Sequence, residues 1–189
     1  LWDSTGRFQH GCARIWARNE CAVSSPPLWQ GERYRHERIR LAYTSEDFRV
    51  HPVAQLIAGV LERHDRDRFE IVGVSLGPGD GSLVRKRIEN ACGRFIDASR
   101  QSDADVAKLL RRIEADIVVD LMGFTGKGRA KILPRRPAPV QASFLGFAAT
   151  MGAGYIDYLI ADRIVIPENE KRHYSEKIAY LPDTYMPAD

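Results

Sequence analysis

IRLAYTSEDFRVHPVAQLIAGVLERHDRDRFEIVGVSL, residues 39–76, sets two short apolar runs on either side of a helical pattern. The first run, 39–44, and the last, 69–76, have strand length and are rich in β-branched and aliphatic residues. Between them Val53, Leu56, Ile57, Val60 and Leu61 fall at i, i+3, i+4, i+7 and i+8, the spacing of one buried helix face over 53–64. A strand, a helix and a strand in this order predict a right-handed crossover between parallel neighbours.

The same alternation continues outward. GPGDGS leads into a helix at about 82–91, and RFIDA supplies a short strand. Ser102 and Asp105 form a capping-box-like start for a helix whose apolar face is Val106, Leu109, Leu110 and Ile113. ADIVVDL (115–121) is apolar almost throughout, as a strand covered on both faces must be. A short helix follows MGFTGKGR, with further strands expected near 140–145 and 156–160. The expectation is an α/β, Rossmann-like, doubly wound parallel sheet over residues 39–189. Residues 1–38, which hold all three tryptophans and the Pro-rich SSPPLWQGERYR, read as a helical remnant and linker.

At 189 residues, 44% of them hydrophobic, the chain is long enough to bury a core. Its apolar runs are of strand length and none is long enough to span a membrane. The net charge of +3 lies in the first 40 residues, with seven Arg against four acids, so residues 41–189 balance and lack the footprint of a nucleic-acid binder. Cys12, Cys21 and Cys92 are odd in number and show no CxxC spacing. Neither a zinc site nor a disulfide framework is expected, and a reducing cytoplasm is. The chain begins at Leu1, and a fragment of a longer protein is expected.

Doubly wound sheets bind ligands beyond the carboxyl ends of their strands, where strand order reverses. SEDFRVHP after the first strand and MGFTG after the fourth would edge that crevice. His51 and Pro52 suit a helix start and need no function for it, with Asp47 as a turn former. At a crevice, however, an imidazole with a carboxylate four residues earlier can orient or polarise a substrate hydroxyl or phosphate. GPGDGS lacks both the GxGxxG spacing and a P-loop lysine, and reads as a turn. GFTGKGRAK offers Thr125, Lys127 and Arg129 as donors for an anionic or sugar ligand, or is a solvated loop. The small residues of LGFAATMGAG (145–154) admit a ligand against backbone or simply make a tight loop. No GxSxG elbow supports a hydrolase triad.

Taken together, the 38–82 block, DLMGFT, RRPAPVQASFLGF, TMGAGYIDYLIAD and YSEKIAYLPDTY resemble the first catalytic lobe of the O-linked N-acetylglucosamine transferase family, in its bacterial SPINDLY-like branch. The resemblance covers about residues 28–189. It implies the first lobe of a GT-B-type glycosyltransferase, whose second, nucleotide-binding lobe is absent from this chain. It further implies inverting, metal-independent transfer of N-acetylglucosamine from UDP-GlcNAc to Ser/Thr hydroxyls of acceptor proteins, with no cofactor. A plant branch of the family uses GDP-fucose. Tetratricopeptide repeats usually precede the lobe. By this resemblance His51 and Asp47 are the catalytic candidates. Pro52, Gly123, Thr125, Leu145, Gly146 and Thr150 are the substrate-binding ones. Ala148 and Ala149 stand where the family usually has Pro and Gly. The alternative is a non-catalytic Rossmann-like binding module. The chain alone is expected to be inactive.

Overall fold

A computed structural model describes residues 6–23, 25–125 and 129–187. Among them, seven strands form one all-parallel sheet: β1 (Ile39–Ser45), β2 (Phe69–Ser75), β3 (Arg94–Asp97), β4 (Ile117–Asp120), β5 (Val140–Ser143), β6 (Tyr158–Ala161) and β7 (Lys177–Tyr180). Their spatial order is β3-β2-β1-β4-β5-β6-β7, so the winding reverses between β1 and β4. The helices are α1 (Gly6–Glu20), α2 (Pro52–Arg63), α3 (Leu83–Ala91) and α4 (Asp103–Arg112).

Right-handed crossovers decide which face each helix covers. Going outward from β1 to β3, α2 and α3 lie on one face. The return from β3 to β4 puts α4 on the other. The strands serve both faces by alternation: Leu41, Tyr43, Ile71 and Val119 join the core under α2 and α3. Ala42, Val72, Val74 and Val118 join the one under α4. This two-sided burial is why the strands read as apolar runs without polar alternation.

Helices α2, α3 and α4 begin where the sequence supplies a cap. The Ser82 and Ser102 hydroxyls accept the backbone N–H of Arg85 and Asp105. Asp103 and Asp105 in the first turn of α4, with Arg111 and Arg112 in its last, complement the helix dipole.

Three local expectations change. The short helix after the fourth strand is a single 3-10 turn, Leu133–Arg135, with Pro134 inside it and Pro137 two residues beyond its end, where a longer helix would lack an N–H. A second 3-10 segment, Glu168–His173, and the edge strand β7 were not legible in the pattern. β7 is four residues long and follows a polar stretch, too short for a period to show.

The amino-terminal segment is fastened to the sheet. Leu28 and Trp29 N–H groups donate to the Arg135 and Arg136 carbonyls. His36 lies between Glu114, at 2.9 Å, and Asp116, at 3.1 Å. These carboxylates raise the His36 pKa against the desolvation of its ring. Ala13 and Ala17 of α1 are buried. Among the described residues no helix is long and apolar enough to cross a membrane.

Candidate active site

Four loops leave the carboxyl ends of β1, β2, β4 and β5 and surround an open cleft of about 690 Å³ at the β1/β4 reversal. Its lining includes Asp47, Arg49, His51, Gly77, Met122, Thr125 and Gly146.

The first wall is the 46–51 turn. Asp47 is 7% exposed, and its N–H donates to the Ser45 hydroxyl at 2.9 Å. One carboxylate oxygen, Oδ1, accepts from the Arg49 guanidinium at 2.7 Å. The other, Oδ2, lies 3.5 Å from Nδ1 of His51. His51 is extended (φ −156°) and is the N-cap of α2: its Nδ1 accepts the Val53 N–H at 3.3 Å, with Pro52 in the first turn. A nitrogen that accepts a backbone N–H carries no proton, so the neutral ring holds its proton on Nε2. His51 therefore presents an N–H donor suited to a sugar, hydroxyl or phosphate oxygen. A second proton at Nδ1 would place it against Asp47 at the expense of the helix cap.

Behind this turn stands Arg85 of α3, 4% exposed. Its guanidinium donates to the Phe48 carbonyl at 3.0 Å, the Ser75 hydroxyl at 2.7 Å and Glu89 at 2.6 Å, and lies over the Phe95 ring. A buried guanidinium is tolerable when its donors are used in this way. Its effect is to tie the loop after β1 to the end of β2. Asp80 makes a second tie, accepting from the Val50 N–H at 2.7 Å; its pKa falls to about 2 because Ser82 and backbone N–H groups stabilise the carboxylate. GPGDGS is thus a turn that braces the first wall.

The second wall pairs the 121–125 loop with the 144–150 loop, and their glycines are demanded by the fit. A Cβ on Gly146 would lie 1.9 Å from the Leu121 carbonyl oxygen. One on Gly123, whose φ is +57°, would lie 2.3 Å from Cβ of Phe147. Leu145 adopts φ 68°, a costly conformation for a branched side chain, held by Tyr185 Oη donating to its carbonyl at 2.7 Å. Beneath the 121–125 loop, Asp120 accepts the N–H of Gly123 at 2.8 Å and of Met122 at 3.2 Å. Burial raises the Asp120 pKa to about 6 despite those bonds.

The sequence profile described as Glycosyl transferase family 41 matches residues 23–189. This chain belongs to that family. It is 37% identical over 153 residues to an Arabidopsis thaliana protein named probable UDP-N-acetylglucosamine–peptide N-acetylglucosaminyltransferase SEC, covering 81% of this chain and 16% of the relative. It is 32% identical to the Caenorhabditis elegans UDP-N-acetylglucosamine–peptide N-acetylglucosaminyltransferase, over 88% of this chain and 15% of that one. A mutant of the Thermobaculum terrenum O-GlcNAc transferase superposes with a TM-score of 0.86 at 31% identity, over 98% of this chain and 36% of that structure. The chain thus spans about a sixth of the length of these curated relatives.

In this family-41 lobe the candidate residues occupy three layers. Asp47, His51, Thr125 and Gly146 line the open cleft. Pro52 is exposed in the first turn of α2. Gly123, Leu145 and Thr150 lie behind the surface. Gly123 borders a separate internal cavity of about 20 Å³. Leu145 is 8% exposed, and Thr150, 3% exposed, donates its hydroxyl to the buried Glu176 at 2.7 Å. Arg129 does not present free donors to a ligand: they go to Asp103 and to the Ala98 and Gln101 carbonyls. Lys127 lies outside the described residues.

Reading the sequence missed Arg49, Arg85 and Asp120. A carboxylate directly after the apolar run Ile117–Val119 was the one available signal for Asp120. Arg85 gave none, because its partners Phe48 and Ser75 are brought to it by tertiary packing; Arg49 gave none, because its pairing with Asp47 two residues earlier depends on the geometry of the turn.

Proposed function

We propose that this chain is the first catalytic lobe of a protein O-glycosyltransferase that moves N-acetylglucosamine from UDP-GlcNAc to Ser or Thr hydroxyls, with inversion and without a metal. The Asp47–His51 pair on an open cleft at the strand-order reversal carries this reading, and the names of the family-41 relatives support its donor and peptide acceptor. Residues 39–189 form the lobe, and the segment before them is its helical attachment. Three free cysteines support a reducing, cytoplasmic setting. The balanced charge of residues 41–189 gives no reason to invoke nucleic acid.

In the reaction the acceptor oxygen attacks the anomeric carbon from the face opposite UDP. The C–O bond to the diphosphate breaks, and the acceptor proton must leave. Nε2–H of His51 orients an oxygen of the donor or acceptor. Arg49 occupies Asp47 Oδ1 and leaves Oδ2 to receive the proton, directly or through water. Stabilising the departing diphosphate falls to a second lobe facing the cleft.

The test uses the full-length natural protein, with UDP-GlcNAc and a Ser/Thr-rich peptide, beside the His51→Ala variant. Transfer that collapses in the variant supports the reading. Turnover by residues 1–189 alone would contradict the role of a second lobe. A full-length protein inactive with both UDP-GlcNAc and GDP-fucose points to a binding module, the reading favoured by Ala148 and Ala149 where the family usually has Pro-Gly.

A further inference from the structure

Helix α1 contributes no group to the cleft, yet it packs against the back of the second wall. Gly152 has φ +62°, and a Cβ there would lie 2.4 Å from the Arg14 nitrogen, so α1 rests directly on the chain leaving the 144–150 loop. His10 Nε2 meets the Ser175 hydroxyl at 2.9 Å, and the Ser175 N–H donates to Thr150 Oγ1 at 3.2 Å. Above these contacts an aromatic chain runs inward. The Trp16 and Phe124 rings meet edge to face, with centroids 6.4 Å apart. Phe124 and Phe147 follow at 5.8 Å. Phe124 precedes Thr125, and Phe147 follows Gly146, so the ring pair lies one residue from two cleft-lining positions. Phe147 also abuts Gly123.

Trp16 is 52% exposed, so its ring is not simply core filler. We propose that Trp16 is a positioning residue for the cleft. Through Phe124 and Phe147 it fixes the 121–125 loop relative to the 144–150 loop, and so couples α1 to substrate binding. The inference rests on the cleft being the glycosyl-transfer site. Its physical basis is that loop placement here depends on ring contacts and close backbone approach, which have discrete packed arrangements.

The test compares Trp16→Ala, Trp16→Phe and, as a control at another exposed α1 position, Ile15→Ala in the full-length natural protein. Two measurements are made: UDP-GlcNAc and peptide saturation kinetics, and hydrogen exchange of segments 121–125 and 144–150. Trp16→Ala is expected to raise a KM about threefold to tenfold, the range one edge-to-face aromatic pair supports, with kcat changed less than KM. Exchange should quicken in both segments and not in β1 or β4. Trp16→Phe should restore both readouts, and Ile15→Ala should match the parent. Unchanged kinetics with unchanged exchange would overturn the proposal, as would a uniform rise in exchange across the lobe, the mark of general destabilisation. Should the parent transfer neither GlcNAc nor fucose, the functional reading fails separately. Exchange alone then decides the coupling: quickening confined to the two loops supports it, and no change overturns it.

Discussion

The two walls of the cleft are built by different physics. The wall after β1 is laced by charge: Arg49 and Arg85 bond to Asp47 and the Phe48 carbonyl, and Asp80 bonds to the Val50 N–H. The wall after β4 and β5 is built by contact: glycines admit neighbouring backbone, and two phenylalanines fill the space behind. Side chains able to handle a proton lie on the laced wall, and the shape of the cleft is set by the packed one. Charge-assisted bonds aim a functional group without filling space around it. Close packing tolerates no added atom and so fixes a surface.

The contrast breaks most sharply at Gly146. Gly146→Ala must displace the Leu121 carbonyl, and a loss of about 3 kcal/mol or more is expected in urea denaturation, together with loss of transfer. On the laced wall, His51→Ala should lower transfer about 100-fold, the order seen when one preorganised hydrogen-bond donor of an active site is removed. It should lower stability by only about 1 kcal/mol, the worth of an N-cap. A large kinetic effect with a small structural one would sharpen the distinction; equal effects would erase it.

Asp120 tests the packed wall through pH. Burial pushes its pKa up to about 6 from the ordinary 3.8 of an aspartate, so the native state binds more protons between those limits. Stability from this group is complete below pH 3.8 and is lost as pH rises through 6. Asp120→Asn lacks that slope, with a pH-independent offset because its NH2 group replaces one of the two oxygens that accept the Met122 and Gly123 N–H groups and cannot itself accept. Its stability relative to the parent should rise by about 2 to 3 kcal/mol between pH 4 and pH 7, compared by urea midpoints. Arg85→Met should cost about 2 kcal/mol, since it takes the guanidinium donor from the Phe48 carbonyl and from the buried Ser75 hydroxyl, which keeps only its bond to the Gly77 carbonyl, and should lower transfer as well. The smallest effect is expected away from both walls. Ser102→Ala removes the α4 cap on the opposite face, costing about 1 kcal/mol and leaving transfer unchanged.

How far each feature was legible follows from the distance between its determinants. Helix α2 was readable within one residue at each end, because its proline, its capping histidine and its apolar spacing are local. So was the Ser102–Asp105 start of α4. Arg129 was read as a ligand donor or part of a solvated loop because a basic residue after a Gly-rich turn looks available. Three acceptors, 26 to 31 residues away in sequence, claim it instead. Thr150 carries a hydroxyl in a small-residue loop, and only the fold brings Glu176 to it. Gly123 and Gly146 were noticed for what they would let a ligand do. Their sharpest constraint is each other's loop.

By itself the amino-acid sequence determined the alternation of strands and helices, the place where the winding reverses, and the pair Asp47 and His51 at that place. Period, capping and turn chemistry act over a few residues and survive in one dimension. Only the tertiary structure decided which oxygen of Asp47 is left free, which nitrogen of His51 keeps its proton, and that Arg85, Asp120 and α1 stand behind the cleft. The first two rest on neighbours two to four residues away, whose atomic pairing follows from the turn's backbone angles and not from residue type. The others depend on groups far apart in the chain meeting within hydrogen-bond or van der Waals distance, and no local pattern records such meetings.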